Sequence, residues 1–181
     1  MALQVVNAGA SPVTLQEAKD YLRVDGADED STIQRLIDSA VEYSQEYTGR
    51  QLCTATLRLV LDAFPCGREL ELPRAPLRSV TSVQYYDEAG QLQTLEAAAY
   101  HEDTVTMPGR LVLAAGQSWP ATQCRPGAVR IDFEAGHGEA AAVPARIRSA
   151  ILVELENGYR ERGDRDNRGT VTDLLRPFKV W

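Results

Sequence analysis

The sequence predicts an α+β protein: a small helical bundle of N-terminal helices plus a C-terminal helix, with an inserted antiparallel β sandwich or barrel. Three observations predict it. The spacing of apolar residues changes from about 3.6 to about 2 near Thr54 and returns to the helical period at Pro144. Between those points, Pro, Gly and Asp clusters separate short apolar segments, as antiparallel strands require. With 181 residues, 44% hydrophobic and 25% charged, the chain can bury a sizeable core without staples. The expected division is a discontinuous helical domain, residues 1–50 and 143–181, around a β domain, residues 51–142.

The first helix signal is Thr14-Leu15-Gln16-Glu17, a Thr N-cap with Glu three residues later, followed by Leu15, Ala18 and Leu22 on one face. Asp25-Gly26-Ala27-Asp28-Glu29-Asp30 interrupts the pattern and puts negative charge ahead of the next helix, where the helix dipole favours it. Ser31 with Gln34 reads as a second capping box. Ile33, Leu36, Ile37, Ala40, Val41, Ser44 and Tyr47 then continue the helix until Gly49 stops it.

Leu57, Leu59 and Leu61 alternate with Arg58 and Val60, which predicts a half-buried strand. Further strands are expected at residues 69–72, 79–86, 91–95, 110–114 and 128–134, with Asp87-Glu88-Ala89-Gly90 as a hairpin turn. Pro144 suits a first helical position, and Ile147, Ile151, Leu155, Gly158 and Tyr159 carry a third helix to about Arg162. Residues 163–169 are polar and bounded by glycine, and a short amphipathic piece, Val171 to Leu175, leads to Arg176-Pro177-Phe178-Lys179-Val180-Trp181. The helices at the two ends are expected to contact each other.

Composition narrows the function. A formal net charge of −7 disfavours a protein that holds nucleic acid by releasing counterions, because such binders carry a basic patch. Arg160 to Arg168 is locally basic, but Glu161, Asp164 and Asp166 interleave it. No run of about 18 apolar residues or signal-like start is present, so the expectation is a chain without membrane or secretory segments. Cys53, Cys66 and Cys124 have no metal-ligand spacing and read as reduced, unpaired thiols of a cytosolic protein.

Catalytic chemistry finds no residues to build on. His101 and His137 are the only histidines, and neither sits in a nucleophile motif. Gly136-His137-Gly138-Glu139 reads as a glycine-rich turn with a solvated imidazole. Asp25, Asp28 and Asp30 lack the central Gly and distant Glu of a calcium loop. No phosphate-cradling glycine motif occurs. The expectation is a protein with no catalytic residues, no cofactor and no metal.

Several phrases, in their shared order, carry a resemblance that spans nearly the whole chain. They are Pro12-Val13-Thr14-Leu15, Glu17-Ala18-Lys19 and Leu22-Arg23-Val24-Asp25, then Tyr47-Thr48-Gly49-Arg50, then Leu72-Pro73-Arg74-Ala75-Pro76-Leu77 with Ser79-Val80. Phe133-Glu134-Ala135-Gly136, Val143-Pro144 and Leu174-Leu175-Arg176-Pro177-Phe178 complete them. This order resembles the head-tail connector, or portal adaptor, family of tailed bacteriophages in its longer version with a β insertion, also found in gene transfer agents. The resemblance implies a structural ring, a dodecamer, beneath the portal protein. Its other neighbour would be a tail-proximal stopper or tail-joining protein, and double-stranded DNA would pass through the lumen without specific binding. It also implies assembly in the host bacterial cytoplasm and a final place in the neck of a virion or phage-like particle. Another head-completion or tail-joining protein is the alternative, and a β-rich binding module a more distant one.

Within that resemblance, Val171, Leu174, Leu175, Arg176, Pro177, Phe178 and Trp181 are the candidate portal-binding residues. They concentrate apolar anchors on a terminal segment, a density typical of an interface. The segment is expected to be an arm separate from the core.

Overall fold

A computed structural model describes residues 1–160 and 168–180 of the chain. It divides into two compact units. One comprises Met1–Gly9 and Thr54–Gly136, the other Ala10–Cys53 and His137–Trp181.

The β unit begins with β1 (Ala2–Asn7) and resumes with β2 (Ala55–Leu61), β3 (Glu69–Leu72), β4 (Leu77–Tyr86), β5 (Leu92–Thr94), β6 (Tyr100–Asp103), β7 (Gly109–Leu113) and β8 (Val129–Ala135). Five strands form one sheet in the order β1-β2-β8-β4-β5, and three form another in the order β3-β7-β6. All pairings are antiparallel. Leu57, Leu59, Ile131, Phe133 and Val83 from the larger sheet share one core with Leu70, Leu72, Leu111 and Tyr100 from the smaller. The arrangement is thus a small sandwich, with β2, β3, β7 and β8 burying alternate residues. On the opposite face of the larger sheet, Arg58 and Asp132 are cross-strand partners joined by two bonds of 2.6 and 2.8 Å.

The helical unit contains α1 (Leu15–Leu22), α2 (Asp30–Thr48), α3 (Ala145–Arg160) and α4 (Arg168–Leu175), followed by a 3-10 turn at Arg176–Phe178. Thr14 forms the anticipated reciprocal cap: the Glu17 N–H donates to its hydroxyl at 3.1 Å, and its own N–H donates to the Glu17 carboxylate at 2.9 Å. Gly49 ends α2 at φ 68°, in the left-handed region where a side chain is disfavoured, and the Arg50 N–H reaches back to the Gln45 carbonyl. Ile33, Ile37 and Ala40 pack with Ile147, Ala150, Ile151 and Leu155 in a single core. Gly158 permits close approach of α3 to α2, since a Cβ there would lie 2.9 Å from Leu36 Cδ2.

Four expectations need correction. The sequence places the first residues in the helical domain, but β1 pairs with β2 and Met1–Gly9 belongs to the β unit. As an edge strand exposed on both faces, β1 lacks the alternation that marks a half-buried strand. The four-residue β6 is not among the expected strands, because Tyr100 is its one buried side chain and leaves no alternation to read. Ser31 does not cap α2: the cap position is Glu29, without a side-chain capping bond, and Ser31 lies inside the first turn. The His137 imidazole is not solvated but half-buried, on a turn whose backbone is held to the helical unit by the His137 main-chain N–H, which donates to the Leu52 carbonyl at 2.8 Å.

Candidate functional site

The C-terminal segment singled out by its apolar density is where α4 and the following 3-10 turn lie. Its residues divide by depth. Val171 and Leu175 are fully buried in the helical core, while Leu174 and Phe178 are partly buried against it. Arg176 and Pro177 are exposed. Trp181 lies outside the described residues, as do residues 163–167 of the expected joint.

The expectation that this segment stands apart from the core is therefore corrected. The spacing of Val171, Leu174, Leu175 and Phe178 is that of one helical face, and such a face packs wherever a complementary apolar surface of the same chain is at hand. Backbone bonds hold the end in place. The Arg50 Nε donates to the Phe178 carbonyl at 2.6 Å, and the Val180 N–H donates to the Thr48 carbonyl at 2.8 Å. The Lys179 ammonium lies over the Tyr47 ring, 5.5 Å from its centroid. The last described residues thus seal the C-terminal end of α2, whose final carbonyls lack helical partners.

The acidic loop before α2 is organised by one cation. Lys19 Nζ donates to the Gly26 carbonyl and to Asp30 Oδ1, the latter at 2.6 Å. Glu29 accepts from the Tyr159 hydroxyl of α3. These carboxylates serve loop and helix contacts. Among the described residues, no group of three or more His, Cys, Asp or Glu side chains is gathered to hold a metal ion.

His137 and Arg50 flank the start of the return into the helical unit. Burial and the positive charge of Arg50 push the imidazole pKa below its usual value. Its Nε2 is buried with no hydrogen-bond partner among the described residues. Cys53 is buried and unpaired, its thiol pKa raised by burial and by Glu139, which suits an inert core thiol. Cys66 and Cys124 are exposed and also unpaired.

In the smaller sheet, Asp103 accepts from the backbone N–H groups of Val105 and Thr106, the Thr106 hydroxyl and Arg110 Nε. These donors, Thr106 foremost, hold its carboxyl far below the usual carboxylate range. The network shapes the β6–β7 hairpin and leaves Val105 and Met107 exposed at its tip.

The organised features among the described residues are thus a capped helical bundle, a charged sheet face and shaped loops. The model of the phage gp6-like head-tail connector family matches residues 12–103. The chain belongs to that family. Among solved structures, it is similar to a chain in the neck of an empty gene transfer agent (GTA) particle computed with C6 symmetry, with TM-score 0.85 and 26% identity over 100% of this chain and 96% of that one. A chain in the virion of a native GTA particle matches with the same TM-score, identity and coverage. A chain in the neck of a native GTA particle computed with C12 symmetry matches in fold at TM-score 0.83 and 23% identity, again over 100% and 96%. No curated protein sequence matches the chain.

Proposed function

We propose that this chain is a non-enzymatic head-tail connector that assembles as a ring in the neck of a tailed phage or phage-derived particle. The observation that carries the reading is the likeness to a GTA neck protein over the full length of the chain, both units included. Family membership supports the same role through residues 12–103. The sixfold and twelvefold symmetry of the neck particles supports a ring, and a dodecamer is its natural copy number.

In this reading the ring sits on the portal protein, meets a tail-proximal stopper or tail-joining protein on its other side, and lets double-stranded DNA through its lumen. The net charge of −7 suits that passage, since an acidic ring does not grip phosphates. Assembly takes place in the host bacterial cytoplasm. The C-terminal segment supplies the portal contact through its outer residues, Arg176 and Pro177 with the open sides of Leu174 and Phe178, while Val171 and Leu175 anchor it from beneath. Trp181 follows these residues in sequence and is assigned to the same contact.

The test is removal of the chain from particle production. Heads that fill with DNA but carry no tails, rescued by supplying the chain in trans, are the expected result. Complete tailed particles lacking the chain would overturn the reading. For the portal contact, Arg176→Glu is expected to lower binding to the purified portal at least tenfold while leaving thermal stability unchanged. Undiminished binding would move the contact elsewhere.

A further inference from the structure

The larger sheet is open at both ends, with β1 at one edge and β5 at the other. Open edges present unpaired N–H and C=O groups, and soluble proteins usually protect them with charge, proline or a covering element. Neither a charged side chain nor proline protects β1. Its sequence, ALQVVN, holds no ionisable side chain and no proline, and the first charged side chain of the chain is Glu17. Val5 is 63% exposed and Val6 52%. Val5 lies in register with Leu57 and Phe133, so the apolar inner face of the sheet continues outward onto the open edge.

The opposite edge has the same character. Between Glu88 and Glu96 no side chain is ionisable, and Leu92 on β5 is 47% exposed. In a chain of net charge −7, two edges free of acidic side chains are where like copies can approach with little repulsion. Their directions also agree. Four successive antiparallel pairings, β1 to β2 to β8 to β4 to β5, make β1 and β5 run the same way. A ring needs a heterologous contact in which one surface of each copy meets a different surface of the next.

We propose that the occupant of the β1 edge is a second copy of this chain, whose β5 edge it joins as a parallel strand, so that the sheet runs from copy to copy around the ring. The inference rests on the ring reading above and adds the surface that closes it. The three residues of β5 limit the contact to a few hydrogen bonds. Such a contact is weak between free copies and effective when a template holds them side by side.

The experiment uses assembled particles. Cys66 and Cys124 are replaced by Ser to remove the exposed thiols. Gln4→Cys and Thr94→Cys are then introduced together, since both positions are exposed and share the sheet face that carries Arg58 and Arg130. Treatment with a short bifunctional thiol reagent is expected to give a ladder of covalent multimers. Either single variant is expected to remain monomeric. Particles that contain the double variant but give no ladder would overturn the proposal, as would dimers from Gln4→Cys alone, which would mean that β1 meets β1. If the wild-type chain is absent from purified particles, the connector reading fails first and the edge contact falls with it. As a second variant, Val5→Lys is expected to reduce incorporation at least tenfold while the purified chain unfolds at the wild-type urea midpoint. Normal incorporation of Val5→Lys would refute the edge contact independently.

Discussion

Replacing Leu175 by Ala separates a C-terminal segment that is core from one that is a detached arm. Leu175 is fully buried with Val171 in the same cluster as Ile33, Ile37, Ile147 and Leu155. Truncating a buried leucine removes its transfer free energy and leaves a cavity, at a cost of about 2–5 kcal/mol. Taking about 3 kcal/mol, the folding equilibrium constant of the helical unit drops by a factor of roughly 150. With a urea dependence of about 1.5–3 kcal/mol per molar, the midpoint falls by about 1–2 M. Far-UV circular dichroism in a urea titration reads this, because the unit is helical. Arg176→Ala, one residue further on but exposed, serves as the control and is expected to stay within about 0.5 kcal/mol of wild type. Deleting residues 170–181 removes Val171 and Leu175 together and is expected to destabilise the unit further. A wild-type midpoint for Leu175→Ala would refute the packing argument and restore the free arm.

Gly109→Ala places a Cβ 2.4 Å from Leu77 Cβ and is expected to cost about 1–3 kcal/mol, read as a lower melting temperature; an unchanged melt would show that β7 can shift. Thr14→Ala removes the N-cap of α1 and is expected to cost about 1 kcal/mol in the same urea titration, with no loss meaning that the Glu17 side chain suffices. For His137, the folded pKa lies below the ordinary value of 6.5, so the unfolded chain takes up its proton first as pH falls. Stability is therefore held above about pH 6.5 and lost progressively below it, towards the lowered folded pKa. His137→Gln is expected to shrink the difference in unfolding midpoint between about pH 7.5 and pH 5.5, and an undiminished difference would assign that dependence to other groups.

What the sequence determined by itself is local. The reciprocal Thr14 and Glu17 cap, the glycine stop at Gly49, the alternation of Leu57 and Leu59 and the turn at Asp87–Gly90 each use chemistry within a few residues, and the α+β class follows from their order. The ordered phrases from Pro12 to Phe178 likewise resembled the connector family directly.

What only the tertiary structure decided concerns partners distant in sequence. β1 has one strand beside it and no fully buried residue, so its identity comes from pairing with the distant residues Thr56 to Val60 and not from any periodicity of its own. A glycine-flanked histidine has no local burial signal, and both the Leu52 carbonyl that holds the His137 backbone and the Arg50 charge that lowers its pKa come from far along the chain. The same holds at the C-terminus. An amphipathic helix offers the same apolar stripe to a partner protein or to its own core, and the sequence of α4 does not distinguish them. The decision for Val171 and Leu175 lies in α2 and α3, whose apolar faces leave a place that these two side chains fill.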